Sequence, residues 1–335
     1  MLDLLKKLCT LDGISGDEQR VAQFLYGELL PYADGVEIDP MGNVIALKRG
    51  ASSKKKVLVA AHMDEVGLIL KKVTDEGFLK FETVGGIDSR VLLGKRVYVG
   101  ENRIPGVVGI KAIHLHTPEE RKQAVKADKM YIDIGASSRE EALKWVRLGD
   151  SIQFDSEFVS FGDGFVRAKA LDDRAGCAIL LKLIQQPLQY DTWFLFSVQE
   201  EIGLRGATVA AERLHPDEAY VVETTTCADF TGCGESDQVS RAGQGAVISV
   251  MDRSTIYSQE MVARAVDTAK AQGIPFQMKR SIAGGNDSGA IHRSGTGVKT
   301  LAISIPCRYL HSPSSVISLE DMNSVRELCA ALICR

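Results

Sequence analysis

The sequence contains no apolar run of about 20 residues, the length that a membrane-spanning helix requires. Its formal net charge is −4, so it also lacks the basic excess that is typical of nucleic-acid-binding proteins. None of the seven cysteines belongs to a Cys-x-x-Cys pair, which argues against a thiolate zinc site, and their odd number and scattered positions predict reduced thiols. The first eight residues include Asp3, Lys6 and Lys7, and no apolar core of about 7–15 residues follows, so they do not form a signal peptide. These absences predict a cytoplasmic protein with neither a membrane nor a nucleic-acid partner.

The composition that remains is that of a folded chain, with 45% apolar and 25% charged residues among 335. Up to residue 66, and again from residue 162, apolar strand-like segments alternate with helix-like segments, which predicts an α/β fold. Residues 67–161 instead form short alternating segments separated by glycine turns, a pattern typical of a small β-barrel or sandwich. One helix-like segment, residues 138–147, interrupts this pattern. We therefore expect a discontinuous α/β domain, residues 1–66 and 162–335, and an inserted β domain, residues 67–161.

Side chains that can bind metal follow several of the apolar segments. The clearest case is the segment from Trp193 to Gln199, which runs directly into Glu200 and Glu201. Two adjacent carboxylates at a strand end call for a compensating cation, because burying unpaired charge is costly. Sites in open α/β sheets form beyond the carboxyl ends of the strands, so several such ends predict a shared site. The residues concerned are His62, Asp172, Glu200, Glu201, Glu223 and His311.

The chemistry of this set favours a pair of metal ions. Two histidines and several carboxylates without thiolate suit Zn²⁺, Co²⁺ or Mn²⁺. Five candidate ligands and a spare carboxylate are enough for two ions if one carboxylate bridges them. Because adjacent strand residues point to opposite sides, Glu200 and Glu201 should differ in role, one binding metal and the other transferring protons. Asp64 follows His62 by two residues and could hold its second ring nitrogen.

Two local patterns have simpler interpretations. Ser15 and Glu18 have the spacing of a capping box, which predicts that a helix over residues 16–31 begins there. His114 and His116 lie two residues apart in the inserted segment, and we interpret them as loop residues.

Seven short motifs, spread over nearly the whole chain, resemble those of the M42 glutamyl-aminopeptidase-type metallopeptidases. Each motif is weakly specific alone, whereas the set is highly specific. The motifs are GISG at 13–16, DPMGN at 39–43, AHMDEVG at 61–67, KALDDR at 169–174, QEEIG at 199–203, GGND at 284–287 and RYLHS at 308–312. The resemblance implies a zinc-peptidase-like catalytic domain, in which helices sandwich a mixed sheet, and a PDZ-like inserted barrel used for dimerisation and assembly.

The resemblance also implies two divalent metal ions per subunit, zinc or cobalt, with manganese as a further candidate. Carried over residue by residue, it assigns His62 and Glu223 to one metal, Glu201 and His311 to the other, Asp172 to both, Glu200 as general base, and Asp64 as the residue that orients His62. The chain departs from the pattern at Glu223, where many relatives have Asp. A non-proline cis peptide bond after Asp172 and a homo-oligomer, up to a dodecamer built from dimers, are further implications.

The expected function is hydrolysis of N-terminal residues from short peptides, with a metal-bridging hydroxide as nucleophile. Arg308, Asn286 and Asp287 are candidates for placing the substrate. The preferred N-terminal residue stays open, because the loops 224–245 and 252–258, which should form its pocket, carry charges of both signs.

Two alternatives come from other classes of protein. A glycoside hydrolase with paired carboxylates is the first, but it leaves His62 and His311 unexplained, and 6% aromatic residues offer little surface for sugar stacking. A structural metal protein or scaffold is the second. It is disfavoured because structural zinc sites are mostly closed and thiolate-rich.

Overall fold

The computed structural model describes residues 1–334, which form one large open sheet and one closed barrel. The helices are α1 Leu2–Thr10, α2 Gln19–Leu29, α3 Arg139–Ala142, α4 Leu171–Leu183, α5 Arg205–Leu214, α6 Gln259–Gln272, α7 Ser288–Ile291 and α8 Leu319–Ile333. The strands are β1 Gly35–Ile38, β2 Val44–Lys48, β3 Ser52–His62, β4 Gly67–Val73, β5 Leu79–Val84, β6 Arg96–Val99, β7 Ile104–Gly109, β8 Tyr131–Asp133, β9 Ser151–Phe154, β10 Val159–Phe161, β11 Phe165–Ala168, β12 Tyr190–Ser197, β13 Glu218–Thr226, β14 Ala246–Ile248, β15 Phe276–Met278, β16 Lys299–Arg308 and β17 Ser315–Ser318.

Four parallel strands form the centre of the large, 11-stranded sheet. The strand order is β1-β2-β12-β3-β13-β16-β17-β11-β10, with β14 paired to β16 and β15 paired to β14. Strand β3 pairs in parallel with β12 and with β13, and β13 pairs in parallel with β16. Strands β2 and β17 flank this group in the antiparallel direction. The carboxyl ends of the four central strands therefore lie along one edge of the sheet.

Helices cover both faces of this sheet. Along β3, Val57 and Val59 pack into one layer and Leu58 and Ala60 into the other, because successive strand residues point to opposite faces. All four are buried. The first layer contains α1, α2, α4, α6 and α8, and the second contains α5 and α7. A strand buried on both faces is apolar throughout, which explains the continuous apolar run at the end of β3.

The barrel is built from antiparallel strands only. Its closed order is β4-β5-β8-β7-β6-β9. Leu68, Val97 and Ile132 are among the apolar side chains that fill its interior. Closure leaves no unpaired edge strand, so this small sheet satisfies its backbone hydrogen bonds by itself.

The predicted fold class, a mixed sheet between helices together with a small β-barrel, is confirmed. Three local predictions differ from the structure. Residues 159–161, which we expected in the inserted segment, form β10 and pair with β11 in the large sheet, whereas the barrel strands end at Phe154. Helix α2 begins at Gln19 without a side-chain cap, so the capping box is wrong. The helix expected from residue 138 to 147 is confined to Arg139–Ala142.

Three further features concern the chain as a whole. The seven cysteines are free thiols, in line with their scattered positions. The peptide bond between Asp172 and Asp173 is cis, as the resemblance implied. Within residues 1–334, every helix is too short or too polar to cross a membrane.

Candidate metal centre

The metal-capable side chains converge at the carboxyl edge of the parallel strands. His62 is the last residue of β3, and His311 follows β16 by three residues. Glu200 and Glu201 lie in the turn between β12 and α5. Asp172 stands near the start of α4, where its backbone is not yet helical. Four elements that are distant in the chain thus supply one site.

Asp172 lies at the centre of this cluster. One carboxylate oxygen, Oδ1, is 3.2 Å from His62 Nε2, and the other, Oδ2, is 3.4 Å from His311 Nε2. Glu201 Oε2 is 3.2 Å from the same nitrogen of His311. Ligand atoms of His62, Asp172 and Glu201 all lie within 4.8 Å of one another, the spacing of groups that can hold a metal ion. The two histidines therefore face opposite oxygens of a single carboxylate.

Each histidine is oriented through its other ring nitrogen. His62 Nδ1 lies 3.2 Å from the backbone oxygen of Asp64 and 3.4 Å from its carboxylate Oδ1. His311 Nδ1 lies 3.0 Å from the backbone oxygen of Gly86, a residue between β5 and β6 of the barrel. An N–H on Nδ1 in both rings satisfies these acceptors and leaves Nε2 free, an arrangement that is common among metal-binding histidines.

Glu223 approaches the site from within β13. Its carboxylate Oε1 accepts a hydrogen bond from Asn286 Nδ2 at 2.7 Å and from Ser304 Oγ at 3.2 Å. The side chain is buried, and it lines the same cavity as His62 and Asp172. The bonds to Asn286 and Ser304 hold its carboxylate at the wall of this cavity.

The carboxyl groups of the site outnumber the positively charged groups around them. Burial raises the pKa of Glu201 to about 7 and that of Glu223 to about 8, and it also raises the pKa of Glu200 well above its ordinary value. Burial opposes the charge of His311, yet its hydrogen bond to Asp172 and the charge of Glu201 raise its pKa to about 9. The raised pKa values of the carboxyl groups and of His311 have the same meaning: negative charge in the cluster is stabilised by a proton or by another cation.

This donor set fits divalent cations. Imidazole nitrogen and carboxylate oxygen without thiolate are the ligands of catalytic zinc, cobalt and manganese sites. The cluster lines a cavity of about 170 Å³, together with Thr224–Thr226 and the loop at Ala283–Gly285. The cavity beside these side chains is open and has room for water and a small molecule, whereas structural zinc sites are closed.

Three residues proposed from the sequence to place the substrate have other partners. Arg308 forms a two-pronged ion pair with Asp229, with Nε and Nη2 at 2.8 and 2.7 Å from its oxygens. Asn286 is buried and donates a hydrogen bond to Glu223. The Asp287 carboxylate is also buried and accepts a hydrogen bond from Ser197. The structure therefore favours supporting roles for Asn286 and Asp287 over direct contact with substrate.

Several residues near the site were missed from the sequence. Ser15 and Glu18, interpreted as a helix cap, instead contact Asp64 and the backbone of Gln199. Lys279 lines the cavity, and its charge lowers the otherwise raised pKa of Glu223. The motif GISG carried a signal for Ser15, because the resemblance included residues 13–16, but Glu18 lies outside it. Lys279 stands in no motif. His114 and His116 lie at a short 3₁₀ turn of the inserted segment, as expected for loop residues.

Comparison with known proteins assigns a family to this arrangement. The family model of the M42 glutamyl aminopeptidases matches residues 42–328. A putative aminopeptidase of Acetivibrio thermocellus is 41% identical over 100% of this chain and 98% of its own length. The TET1 peptidase of Pyrococcus horikoshii, which can assemble into a tetrahedron or a large octahedral shell, is 35% identical over 100% of this chain and 99% of that chain, with a TM-score of 0.88.

A Thermotoga maritima structure named as an endoglucanase shares the fold, with a TM-score of 0.82 and 38% identity over 98% of this chain and 96% of that chain. The matched residues 42–328 include every metal-capable residue described above, from His62 to His311. The chain belongs to the M42 glutamyl aminopeptidase family, whose members are metal-dependent aminopeptidases.

Proposed function

We propose that the protein is a dinuclear metallo-aminopeptidase that removes N-terminal residues from short peptides. His62 and Glu223 would hold one ion, Glu201 and His311 the other, and Asp172 would bridge them. The observation that supports this proposal best is the position of Asp172, whose two oxygens face the Nε2 atoms of His62 and His311 separately. A carboxylate that bridges two ions through both of its oxygens presents them in this way.

The proposed metals, when bound, supply Lewis acidity that polarises the scissile carbonyl and lowers the pKa of water to roughly 7. The protein then has to accept a proton and return it to the leaving amine. Glu200 suits this task, because burial raises the pKa of its carboxyl well above the ordinary value. Its backbone N–H donates to Asp64 Oδ1 at 3.1 Å, which anchors the residue through its main chain.

The cavity supports the choice of an aminopeptidase over an enzyme that cleaves within chains. Its volume of about 170 Å³ suits the side chain of one terminal residue. Carboxylates line its wall, so a protonated α-amine is attracted to the same place. The protein would therefore bind the free end of a peptide with the first carbonyl near Asp172.

Self-association is the second part of the proposal. We infer that the protein forms a homo-oligomer, possible assemblies being a dimer and a dodecamer built from dimers. The TET1 peptidase assemblies described above support this inference. The segment 67–161 would act as the assembly domain. Native mass spectrometry of the metal-loaded protein tests the self-association by measuring the number of subunits.

The role of Glu200 is tested by Glu200→Gln, assayed on aminoacyl anilides with cobalt or zinc present. We expect turnover to fall by about 10²- to 10⁴-fold, the typical contribution of a positioned general base. Bound metal, measured by elemental analysis, should stay at the wild-type level because Glu200 is not among the proposed ligands. Glu28→Gln on the exposed side of α2 is the matched control and should retain full activity. Wild-type turnover of Glu200→Gln would refute the assigned role.

The glycoside hydrolase alternative is separated from this proposal by chelation. A glycosidase with paired carboxylates needs no metal and should keep its activity in EDTA. The aminopeptidase should lose peptide hydrolysis in EDTA and regain it on addition of cobalt or zinc. The two histidines within the carboxylate cluster favour the peptidase, because sugar hydrolysis has no use for them.

A further inference from the structure

The segment Leu11–Glu18, which lies between α1 and α2, is packed between the candidate metal centre and the barrel. Its polar side chains Asp12, Ser15 and Glu18 are buried although the segment is a loop. Buried polar side chains in a loop are costly unless they are hydrogen-bonded, so their partners indicate what the segment does.

Ser15 binds the carboxylate that orients His62. Its Oγ donates a hydrogen bond to Asp64 Oδ2 at 2.6 Å, and Asp64 is fully buried. The same carboxylate accepts hydrogen bonds from the backbone N–H of Glu200 at 3.1 Å and of Glu201 at 3.2 Å. Asp64 therefore links His62 to the turn that carries Glu200 and Glu201, and Ser15 fixes the carboxylate that makes this link.

Glu18 holds the preceding residue of the same turn. Its Oε1 accepts hydrogen bonds from the backbone N–H of Gly16 at 2.8 Å and of Gln199 at 3.1 Å. Gln199 has φ +55°, a left-handed conformation that residues with a Cβ rarely adopt. Such a conformation persists only where its surroundings enforce it. Glu18 supplies one of the contacts that enforce it.

Three consecutive backbone N–H groups, those of residues 199, 200 and 201, are thus each held by a carboxylate. We propose that Ser15 and Glu18 are positioning residues of the catalytic site, which set the placement of Glu200 and Glu201 through the backbone of this turn. The inference rests on the proposed function, in which Glu200 transfers the proton and Glu201 binds metal.

The opposite side of the segment contacts the barrel. Asp17 accepts a hydrogen bond from Ser151 Oγ, and Asp12 forms an ion pair with Arg103. Ile14 packs against Gly67 so closely that a side chain at residue 67 would clash with it. The segment is therefore held from both sides, which gives it the rigidity that a positioning role requires.

The test compares Glu18→Ala, Glu18→Gln and Ser15→Ala with Val21→Ala. Val21 is fully buried and packs against Gly13 of the same segment, so its truncation weakens packing without touching the site. We expect Glu18→Ala and Ser15→Ala to lower kcat by about 10- to 100-fold, the usual effect of losing a group that supports a metal site. They should also release metal at lower chelator concentration, while KM changes little. Glu18→Gln retains an acceptor oxygen and should restore most of kcat.

A purely structural role predicts a different result. All three variants would then lower the melting temperature as Val21→Ala does, with kcat per folded molecule and metal retention equal to those of that control; this outcome overturns the inference. Ser15→Ala removes one hydroxyl and keeps the test valid if Glu18→Ala does not fold. Failure of the proposed function is distinguishable, because Glu200→Gln would then be active whatever the Glu18 variants do.

Discussion

The two sheets of this protein differ in how their strands run, and that difference decides where chemistry can occur. In the large sheet, β12, β3, β13 and β16 are parallel, so the side chains that follow them meet at one edge. In the barrel, neighbouring strands are antiparallel, and their ends alternate between the two openings. Polar side chains at or near these strand ends can therefore gather in the large sheet, whereas the barrel distributes its strand ends between two openings. The comparison teaches that strand direction, more than residue content, concentrates reactive groups.

The barrel still takes part in the site, but through its backbone. The oxygen of Gly86 lies 3.0 Å from His311 Nδ1, and a Cβ on Gly85 would approach that of Glu201 to 3.3 Å. The barrel thus supports a metal-capable residue that the large sheet supplies. Histidines of the two regions provide the sharpest contrast, because His62 faces Asp172 and His114 is exposed.

The largest effect is expected from His62→Ala compared with His114→Ala. Removing His62 deletes a proposed ligand of one of the two ions, so metal content should fall toward one ion per subunit. Turnover should fall by more than about 100-fold, beyond the range for supporting residues. His114→Ala should change neither. Elemental analysis and anilide hydrolysis measure both quantities. Comparable losses of metal and turnover in the two variants would contradict the contrast between the two sheets, because the barrel would then supply reactive groups as well.

A smaller effect is expected from truncating one fully buried isoleucine in each region, Ile132→Ala in the barrel and Ile303→Ala in β16. Each should lower the free energy of unfolding by about 2–5 kcal/mol, as for other buried aliphatic side chains. Only Ile303 adjoins Ser304, which donates to Glu223, so only its truncation should lower kcat per folded molecule. Denaturant titration and kinetics of the folded fraction separate the two effects. Equal kcat in the two variants would contradict the expectation.

The smallest effect is expected from Gly85→Ala compared with Gly94→Ala. Both glycines have positive φ, +85° and +75°, so both variants should lose about 1–2 kcal/mol of stability. A Cβ on Gly85 would also stand 2.7 Å from Val66 Cγ1, whereas one on Gly94 meets nothing within 4 Å. Gly85→Ala should shift the turn beneath His311 and lower turnover several-fold, up to about tenfold. A similar decrease in Gly94→Ala would assign the effect to strain alone.

Most of the fold and of the cluster could be predicted from local pattern. The apolar runs ending at His62 and Glu200 indicated buried strands with polar ends, and the glycine turns from residue 67 indicated the barrel. Short strands such as β10 and β17 were missed, because three or four residues carry too little periodicity to be distinguished from a loop. Their pairing is decided by the neighbouring strand.

Ser15 and Glu18 show where local pattern is insufficient. Their spacing is that of a capping box, yet their partners, Asp64 and Gln199, lie 49 and 181 residues further along the chain. The same limit applies to Arg308, whose carboxylate partner Asp229 lies 79 residues away. The local sequence is the same whether such a side chain bonds to a near neighbour or to a distant residue. Only the folded chain shows which of the two bonds forms.

The amino-acid sequence by itself determined which segments become strands, because alternation and apolar runs act over a few residues, and which residue types reach the strand ends. Tertiary structure alone decided that Asp172 stands between two histidines, that a barrel carbonyl orients His311, and that a loop near the N-terminus holds the Glu200 turn. These contacts join residues that are distant in the chain. They form because parallel strands and packed layers bring their ends together, and no local pattern encodes such distances.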